Sequence, residues 1–272
     1  MNNMKKVALI VDNDWYLVER LAEFLQEHEY EVLKAFNGKE GIMLLDDGVV
    51  DLLFVDLVMP KIDGKQMIQY IREHFPDARF PIVALSGMLI EGNEDVHKIG
   101  ADFCITKGST DTMIAHINQF MGELKKQSSF SLIYPRIFGN PGPHPRQFED
   151  ELIDAMDLQD AIFESVGMGI FIIDRDFSII KVNELGLEIV GKSISEVLTR
   201  PVTSLFRDSE KHKLKCAMKR IYDYPEQGHV GFFRSIGMRQ IRNIVSFLKS
   251  NNKPTGWILI MEVMDPLEDQ DE

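Results

Sequence analysis

Cysteine is nearly absent from this sequence. Its 272 residues include two, Cys104 and Cys216, which lie far apart and form no Cys-x-x-Cys pair. A disulfide framework or a structural zinc site is therefore not expected. Two isolated thiols fit a reducing compartment, so we expect a cytoplasmic location.

Long apolar runs and an excess of positive charge are also missing. No apolar run reaches the length of a membrane span, and the amino terminus lacks a signal-peptide core followed by a cleavage site. We therefore expect a soluble protein that does not contact a membrane. The net charge of −13 would repel the phosphate backbone of a nucleic acid, so no nucleic-acid partner is expected either.

The negative charge is concentrated in the first half of the chain. Before residue 123 there are 20 acidic and 11 basic residues, a balance that suits a divalent-cation site. Apolar runs alternate here with segments of helical period. The strand candidates are 7–11, 52–56, 82–86 and 103–106, and the helix candidates include 65–75, 94–100 and 110–124. This alternation predicts an α/β fold with a doubly wound parallel sheet over residues 1–124.

A linker follows at residues 125–150. It contains four prolines and two glycines, a composition typical of a semi-rigid connecting segment. Some of its residues are nevertheless apolar enough to dock on a neighbouring element, namely Ile133, Tyr134, Ile137 and Phe138.

The second domain is expected at residues 151–266, before an acidic tail at 267–272. Helical patterns occupy 151–166 and 207–224. The strand candidates are a hairpin at 169–183 and three later segments at 229–236, 239–248 and 256–264. Strands, then helices, then strands predict an α+β domain with an antiparallel sheet.

Polar residues stand at the ends of the predicted strands of the first domain. Parallel strands gather their carboxyl ends at one edge of a sheet, so these residues should lie together. Carboxylates bind Mg²⁺ and can attack phosphorus, while a hydroxyl and a lysine can stabilise phosphoryl oxygens. The set predicts metal-assisted phosphoryl transfer, and its members are Asp12, Asn13, Asp14, Asp56, Ser86 and Lys107.

One family with such a set is the haloacid-dehalogenase-type phosphatases. Its members begin with an apolar strand ending in Asp-x-Asp, which Asp12 and Asp14 resemble as nucleophile and general acid. Ser86 and Lys107 follow in the family's order. The acidic pair that this family has after its lysine is missing here, and Asp56 would have no role. We keep this family as a remote alternative.

Residues 5–122 resemble a response-regulator receiver domain more closely. The segment FVDLVMPKIDG (54–64) resembles the family's phosphoacceptor strand and the turn after it. Similarly, ALSG (84–87) resembles its hydroxyl-bearing strand, and GADFCITK (100–107) its last strand. The resemblance implies a five-stranded flavodoxin-like sheet.

The same resemblance implies roles for individual residues. Asp56 would accept a phosphoryl group, Ser86 would be the switch hydroxyl, and Lys107 would bind the phosphate. Mg²⁺ would be the cofactor. Its expected ligands are Asp12, Asn13, Asp56 and the backbone carbonyl of Val58.

Three positions depart from the family pattern. Asn13 replaces the second of two adjacent acids, so we expect weaker metal binding. Cys104 occupies the place of the family's aromatic switch residue, and Phe103 is one residue off, which on a strand points to the opposite face. Gly108 follows the lysine where the family usually has proline.

Residues 158–265 resemble a PAS domain. The hairpin at 169–183 and the helices around a glycine at 184–198 resemble that family's first half, and the later strands its remaining sheet. No cofactor signature is visible. Cys216 lies within a helical pattern without a flavin-adduct motif, and His212 is more typical of a solvated helix start than of a haem ligand. We assign no PAS ligand.

Together these resemblances imply a response-regulator-type signal transduction protein. A histidine kinase or phosphotransfer protein would phosphorylate Asp56, and the PAS module would pass the state on through a homodimer or a downstream protein partner. No enzymatic activity is expected beyond the protein's own phosphorylation and dephosphorylation. The alternative from a different class is a PAS-based ligand sensor or scaffold whose receiver works without phosphorylation.

Overall fold

The computed structural model describes residues 5–78, 80–87, 99–126, 136–138, 158–250 and 253–264. The chain divides into two compact units, Met1–Asp154 and Ala155–Glu272. Most of the segment predicted as a linker, the acidic tail and most of the predicted helix at 94–100 lie outside the described residues.

The first unit is built on a parallel sheet in the order β2-β1-β3-β4-β5-β6. The doubly wound parallel sheet is thus confirmed, with one strand more than expected. Its strands are β1 (Val7–Val11), β2 (Glu31–Ala35), β3 (Leu52–Asp56), β4 (Ile82–Ser86), β5 (Phe103–Thr106) and β6 (Arg136–Phe138). Its described helices are α1 (Trp15–Glu27), α2 (Gly38–Asp47), α3 (Gly64–His74) and α4 (Thr110–Lys126).

The central strands form because they are apolar along their whole length. Every residue of β3 and β4 is buried, as expected for parallel strands covered by helices on both faces. Helix α1 adds a stripe of apolar side chains at helical spacing, including Val18, Leu21 and Leu25, to the core on one side of the sheet. This framework places the carboxyl ends of β1, β3, β4 and β5 at one edge.

The sixth strand comes from the segment that the sequence suggested as a linker. Arg136, Ile137 and Phe138 pair in parallel with β5, and Phe138 is buried in the core. Of the four apolar residues expected to dock on a neighbour, Ile133 and Tyr134 lie outside the described residues.

At the amino ends of the strands, opposite the polar residues, Arg72 of α3 forms hydrogen bonds to the sheet. Its Nε donates to the carbonyl oxygen of Gly100 at 2.8 Å, and its Nη2 donates to Asp102 Oδ1 at 2.9 Å. The second oxygen of Asp102 accepts from the backbone N–H of Ile82 at 2.8 Å. One arginine therefore ties a helix to the amino ends of β4 and β5.

The second unit contains an antiparallel sheet in the order β8-β7-β11-β10-β9, which confirms the predicted architecture. Its strands are β7 (Gly169–Ile173), β8 (Ile179–Val182), β9 (His229–Ile236), β10 (Arg239–Ser250) and β11 (Lys253–Met264). Between β8 and β9 lie α5 (Glu184–Val190), α6 (Ile194–Val197), a 3₁₀ turn (Val202–Leu205) and α7 (Asp208–Asp223). Residues 158–165 of the predicted first helix are helical.

Asn183 joins three elements of this unit. It is fully buried and caps α5, with its Oδ1 accepting from the N–H groups of Gly186 at 3.0 Å and Ile170 at 2.8 Å. Its Nδ2 donates to the carbonyl oxygens of Phe163 at 3.0 Å and Met168 at 2.9 Å. The side chain satisfies both of its polar atoms and fixes the hairpin against two helices.

Arg234 of β9 is a cation inside the second unit, only 4% exposed. Its Nη1 donates to the carbonyl oxygen of Leu205 at 2.7 Å, and its guanidinium lies 4.1 Å from the ring centroid of Phe206. Its acidic neighbour is Glu210, 3.8 Å away. Burial lowers the pKa of Arg234 to about 10, against the opposing effect of Glu210.

Replacing Arg234 tests this buried contact. Arg234→Ala leaves the Leu205 carbonyl without its donor and opens a cavity beside Phe206, so we expect the second unit to lose about 3 kcal/mol of stability. Urea unfolding followed by circular dichroism measures it. Arg242→Ala, which removes an exposed arginine 3.5 Å from Glu262, is the control and should change stability by less than about 1 kcal/mol. Equal losses in the two variants would contradict the buried role.

Candidate functional site

Three strand ends bring two carboxylates and an ammonium together. Lys107, just after β5, has its Nζ 2.7 Å from Asp12 Oδ2 and 2.9 Å from Asp56 Oδ2. Asp12 follows β1 and Asp56 ends β3. Both carboxylates are buried, whereas the lysine is partly exposed. The sequence-predicted acceptor, lysine and first metal ligand therefore form one cluster.

This cluster carries a net negative charge, because two carboxylates share one ammonium. Burial raises the pKa of Asp56; Lys107 opposes this rise, and the nearby Asp12 adds to it. The lysine thus favours the ionised form of Asp56, which is the form able to act as a nucleophile.

The backbone around Asp56 is shaped by the turn into α3. Val58 N–H donates to Asp56 Oδ1 at 3.3 Å. Gly64 opens α3 with its N–H donating to the carbonyl oxygen of Leu57 at 3.2 Å. A Cβ on Gly64 would overlap the carbonyl oxygen of Asp56 and lie 2.7 Å from the Leu57 Cα, so only glycine allows this approach.

Ser86 lies at the carboxyl end of β4, between the strands of Asp56 and Lys107. Its backbone oxygen accepts from the Lys107 N–H at 2.7 Å, and its side chain is buried. In the sheet register Asp56 pairs with Leu85, the residue before Ser86. The hydroxyl-bearing residue is therefore next to the acceptor strand, where the sequence predicted it.

The three residues of the segment Asp12-Asn13-Asp14 have different environments. Asp12 is buried, and its Oδ1 accepts from the backbone N–H of Asp14 at 2.9 Å. Asp14 is the N-cap of α1, accepting from Tyr16 N–H at 2.9 Å and Leu17 N–H at 3.2 Å. Asn13 is exposed. Because Asp14 is occupied as a cap, it is not a ready substitute for the acid that Asn13 replaces.

The residues present fit a divalent cation. Asp12 Oδ2 is buried and, apart from the Lys107 ammonium, contacts no hydrogen-bond donor among the described residues. A buried carboxylate oxygen with spare acceptor capacity, in a cluster with excess negative charge, suits a hard cation. Within the described ranges no group of three or more His, Cys, Asp or Glu side chains has metal-site geometry.

Cys104 and Phe103 are neighbours in β5, the strand that leads to Lys107, and they differ in burial. Cys104 is completely buried, and burial raises the pKa of its thiol to about 12. Phe103 is half-buried and packs against Phe120 of α4, with ring centroids 4.9 Å apart. Phe103 also lies 6.2 Å from Phe138 of β6.

Sequence reasoning missed two buried polar side chains in the second unit, Arg234 and Asn243. Arg234 Nε and Asn243 Oδ1 are both buried and have no hydrogen-bond partner within the described part of the chain. Arg234 Nη2 reaches the sulfur of Met261 at 3.3 Å, and Met261 pairs with Asn243 in the sheet. A charged residue in an edge-strand pattern resembles a solvated one, so no sequence signal distinguishes it.

Family models match both units. A model described as response regulator receiver domain matches residues 8–118, and a model described as PAS domain matches residues 158–221. The chain therefore contains a receiver domain followed by a PAS domain.

Curated relatives resemble the first of these domains. Response regulator GtcR of Aneurinibacillus migulanus is 31% identical over 109 residues, which are 38% of this chain and 42% of that protein. Regulatory protein VanRc of Enterococcus gallinarum is 32% identical over 110 residues, 38% of this chain and 44% of that protein. The chain thus spans less than half the length of these relatives.

Solved structures resemble each domain separately. The response regulator TrrA from Thermotoga maritima, in complex with Mg²⁺–BeF, is 29% identical and covers 44% of this chain and 97% of its own, with a TM-score of 0.38. A PAS domain from Colwellia psychrerythraea is 16% identical and covers 41% of this chain and 98% of its own, with a TM-score of 0.35.

No helix in the described residues is both long and apolar enough to span a membrane.

The two cysteines should differ sharply in reactivity. The raised pKa of Cys104 keeps its thiol protonated at pH 8, and burial denies access to reagents, whereas Cys216 is exposed. We expect an alkylating reagent to modify one thiol rapidly and the second only in denaturant. Cys216→Ser should abolish the rapid reaction; two rapid equivalents in the native protein would contradict the burial of Cys104.

Proposed function

We propose that Asp56 accepts a phosphoryl group from a histidine kinase or a phosphotransfer protein and that the chain is a phosphorylation-controlled signalling protein. The observation that carries this proposal is the position of Lys107 between Asp12 and Asp56. The match to a receiver domain implies the same kind of phosphodonor. The chain itself would have no catalytic activity on other molecules.

In the proposed reaction an Asp56 oxygen attacks the phosphorus of a phosphohistidine. The new O–P bond forms as the P–N bond breaks, and the imidazole leaves with the electron pair of that bond. Lys107 neutralises charge on the phosphoryl oxygens, and the Ser86 hydroxyl donates to one of them. Burial of the two carboxylates lowers the local dielectric constant and strengthens both interactions.

Mg²⁺ would be held by the carboxylates of Asp12 and Asp56, the Asn13 amide oxygen and the Val58 carbonyl. When bound, it supplies positive charge that neutralises the transferred phosphoryl group. The cluster's excess negative charge supports this assignment. Asn13 contributes an oxygen but no charge, so the affinity is lower than that of a site with three acids.

We further propose a cytoplasmic protein whose PAS domain transmits the phosphorylation state to a downstream protein partner or a second copy of the chain. Both cysteines are free thiols, which fits a reducing compartment. The overall charge of −13 makes neither a nucleic acid nor an anionic membrane surface a favourable partner.

Phosphorylation can be tested directly by incubating the protein with acetyl phosphate and Mg²⁺ and measuring its intact mass. We expect one phosphoryl adduct, lost in Asp56→Asn because the nucleophile is removed. Asp14→Asn is the matched control, since asparagine also caps helices well and the adduct should persist. An adduct that depends on Asp12 and Asp14 instead would support the phosphatase alternative, and no adduct from any donor would support the scaffold.

The effect of Asn13 on Mg²⁺ affinity can be measured by placing an acid at this position. Asn13→Asp adds a carboxylate beside Asp12, so we expect Mg²⁺ to bind about tenfold more tightly, a difference of about 1.4 kcal/mol. Calorimetric titration with Mg²⁺ provides the dissociation constants. Asn13→Ala should bind Mg²⁺ no better than the natural chain. Equal affinities in all three proteins would show that residue 13 is not a ligand.

The second candidate function is ligand sensing by the PAS domain. It is favoured by the buried donor Arg234 Nε and the buried acceptor Asn243 Oδ1, both without partners in the described residues. A small molecule that offers an acceptor to Arg234 Nε and a donor to Asn243 Oδ1 would satisfy both atoms. Native mass spectrometry of the purified protein tests this, because a retained ligand adds mass that Asn243→Ala should reduce and that denaturation removes.

A further inference from the structure

Strand β6 is a short element in which Phe138 is the buried side chain among those described. It contains Arg136, Ile137 and Phe138, and in the described part of the chain its strand partner is β5 alone. Phe138 is only 5% exposed. Its ring lies 5.8 Å from that of Phe120 and 6.2 Å from that of Phe103. Three residues with one buried anchor form an element of low local stability.

The same strand β5 connects β6 to the phosphoacceptor site. Ile105 of β5 pairs with Phe138 of β6. Two residues further along the chain, Lys107 contacts both buried carboxylates and donates its N–H to Ser86. The end of β5 that carries Lys107 is therefore also the end that pairs with Phe138.

We propose that phosphorylation of Asp56 releases β6 from β5; this inference rests on the proposed function. We call β6 (Arg136–Phe138) the strap. Phosphorylation converts the Asp56 carboxylate into an acyl phosphate, which removes the carboxylate's negative charge and places about two negative charges on the phosphoryl oxygens beyond it. The Lys107 ammonium follows that charge away from its present position 2.9 Å from Asp56 Oδ2. The end of β5 shifts with it, and the Phe138 anchor loses its fit.

Release of the strap lengthens the tether between the two domains. With β6 in place, the 19 residues 139–157 separate Phe138 from the helical segment at 158–165. Without it, the 31 residues 127–157 separate the end of α4 at Lys126 from the same segment. The phosphorylation state would thus set how many residues lie between the last anchored element of the receiver domain and the PAS domain.

Hydrogen–deuterium exchange of the full chain tests the strap, with the intact mass measured on the same samples. We expect the peptide covering 136–138 to exchange about tenfold faster after treatment with acetyl phosphate and Mg²⁺. Phe138→Ala should produce at least about tenfold faster exchange without treatment, because the buried anchor is removed. Val49→Ala, which truncates an apolar side chain that is 79% exposed, is the control and should leave this peptide unchanged. Asp56→Asn should abolish the response to treatment.

The outcomes separate the two proposals. A phosphoryl adduct with unchanged or slower exchange at 136–138 overturns the strap and leaves the phosphoacceptor function intact. No adduct from any donor overturns both. If Phe138→Ala leaves the exchange of this peptide unchanged, Phe138 is not the anchor, whatever phosphorylation does.

Discussion

The site depends on one ammonium group. Without Lys107, the carboxylates of Asp12 and Asp56 would be buried close together with no counter-charge, an arrangement that costs several kcal/mol in folded proteins. The lysine makes this arrangement possible by joining the ends of three strands. The ammonium that balances charge in the folded chain is also the group that the phosphoryl group of the proposed function would contact.

Much of this arrangement follows from the sequence, because buried parallel strands appear as unbroken apolar runs ending at polar residues. β3 and β4 were located with their observed bounds, and Asp56, Ser86 and Lys107 lie at the predicted edge. β2 was not identified because four of its five residues keep some exposure, and β6 because three residues in a proline-rich segment carry no periodicity. The burial of Arg234 depends on contacts with Phe206 and Leu205, which are distant in sequence.

Neighbouring residues of identical type serve different purposes at this edge. Asp12 is buried against the lysine, whereas Asp14 accepts two backbone N–H groups at the start of α1. Their spacing resembles that of a phosphatase pair, but spacing alone carries no information on which atoms each carboxylate faces. The contacts separate the two acids: Asp12 faces the lysine, and Asp14 caps a helix.

The two ends of β5 are held by different kinds of contact. At the amino ends of β4 and β5, the Arg72 guanidinium, the Asp102 carboxylate and the Ile82 N–H form a continuous chain of hydrogen bonds. At the carboxyl end of β5, Lys107 contacts the carboxylates of Asp12 and Asp56. Under the proposed function, phosphorylation of Asp56 would therefore act on one end of β5 while the Arg72 contacts hold the other.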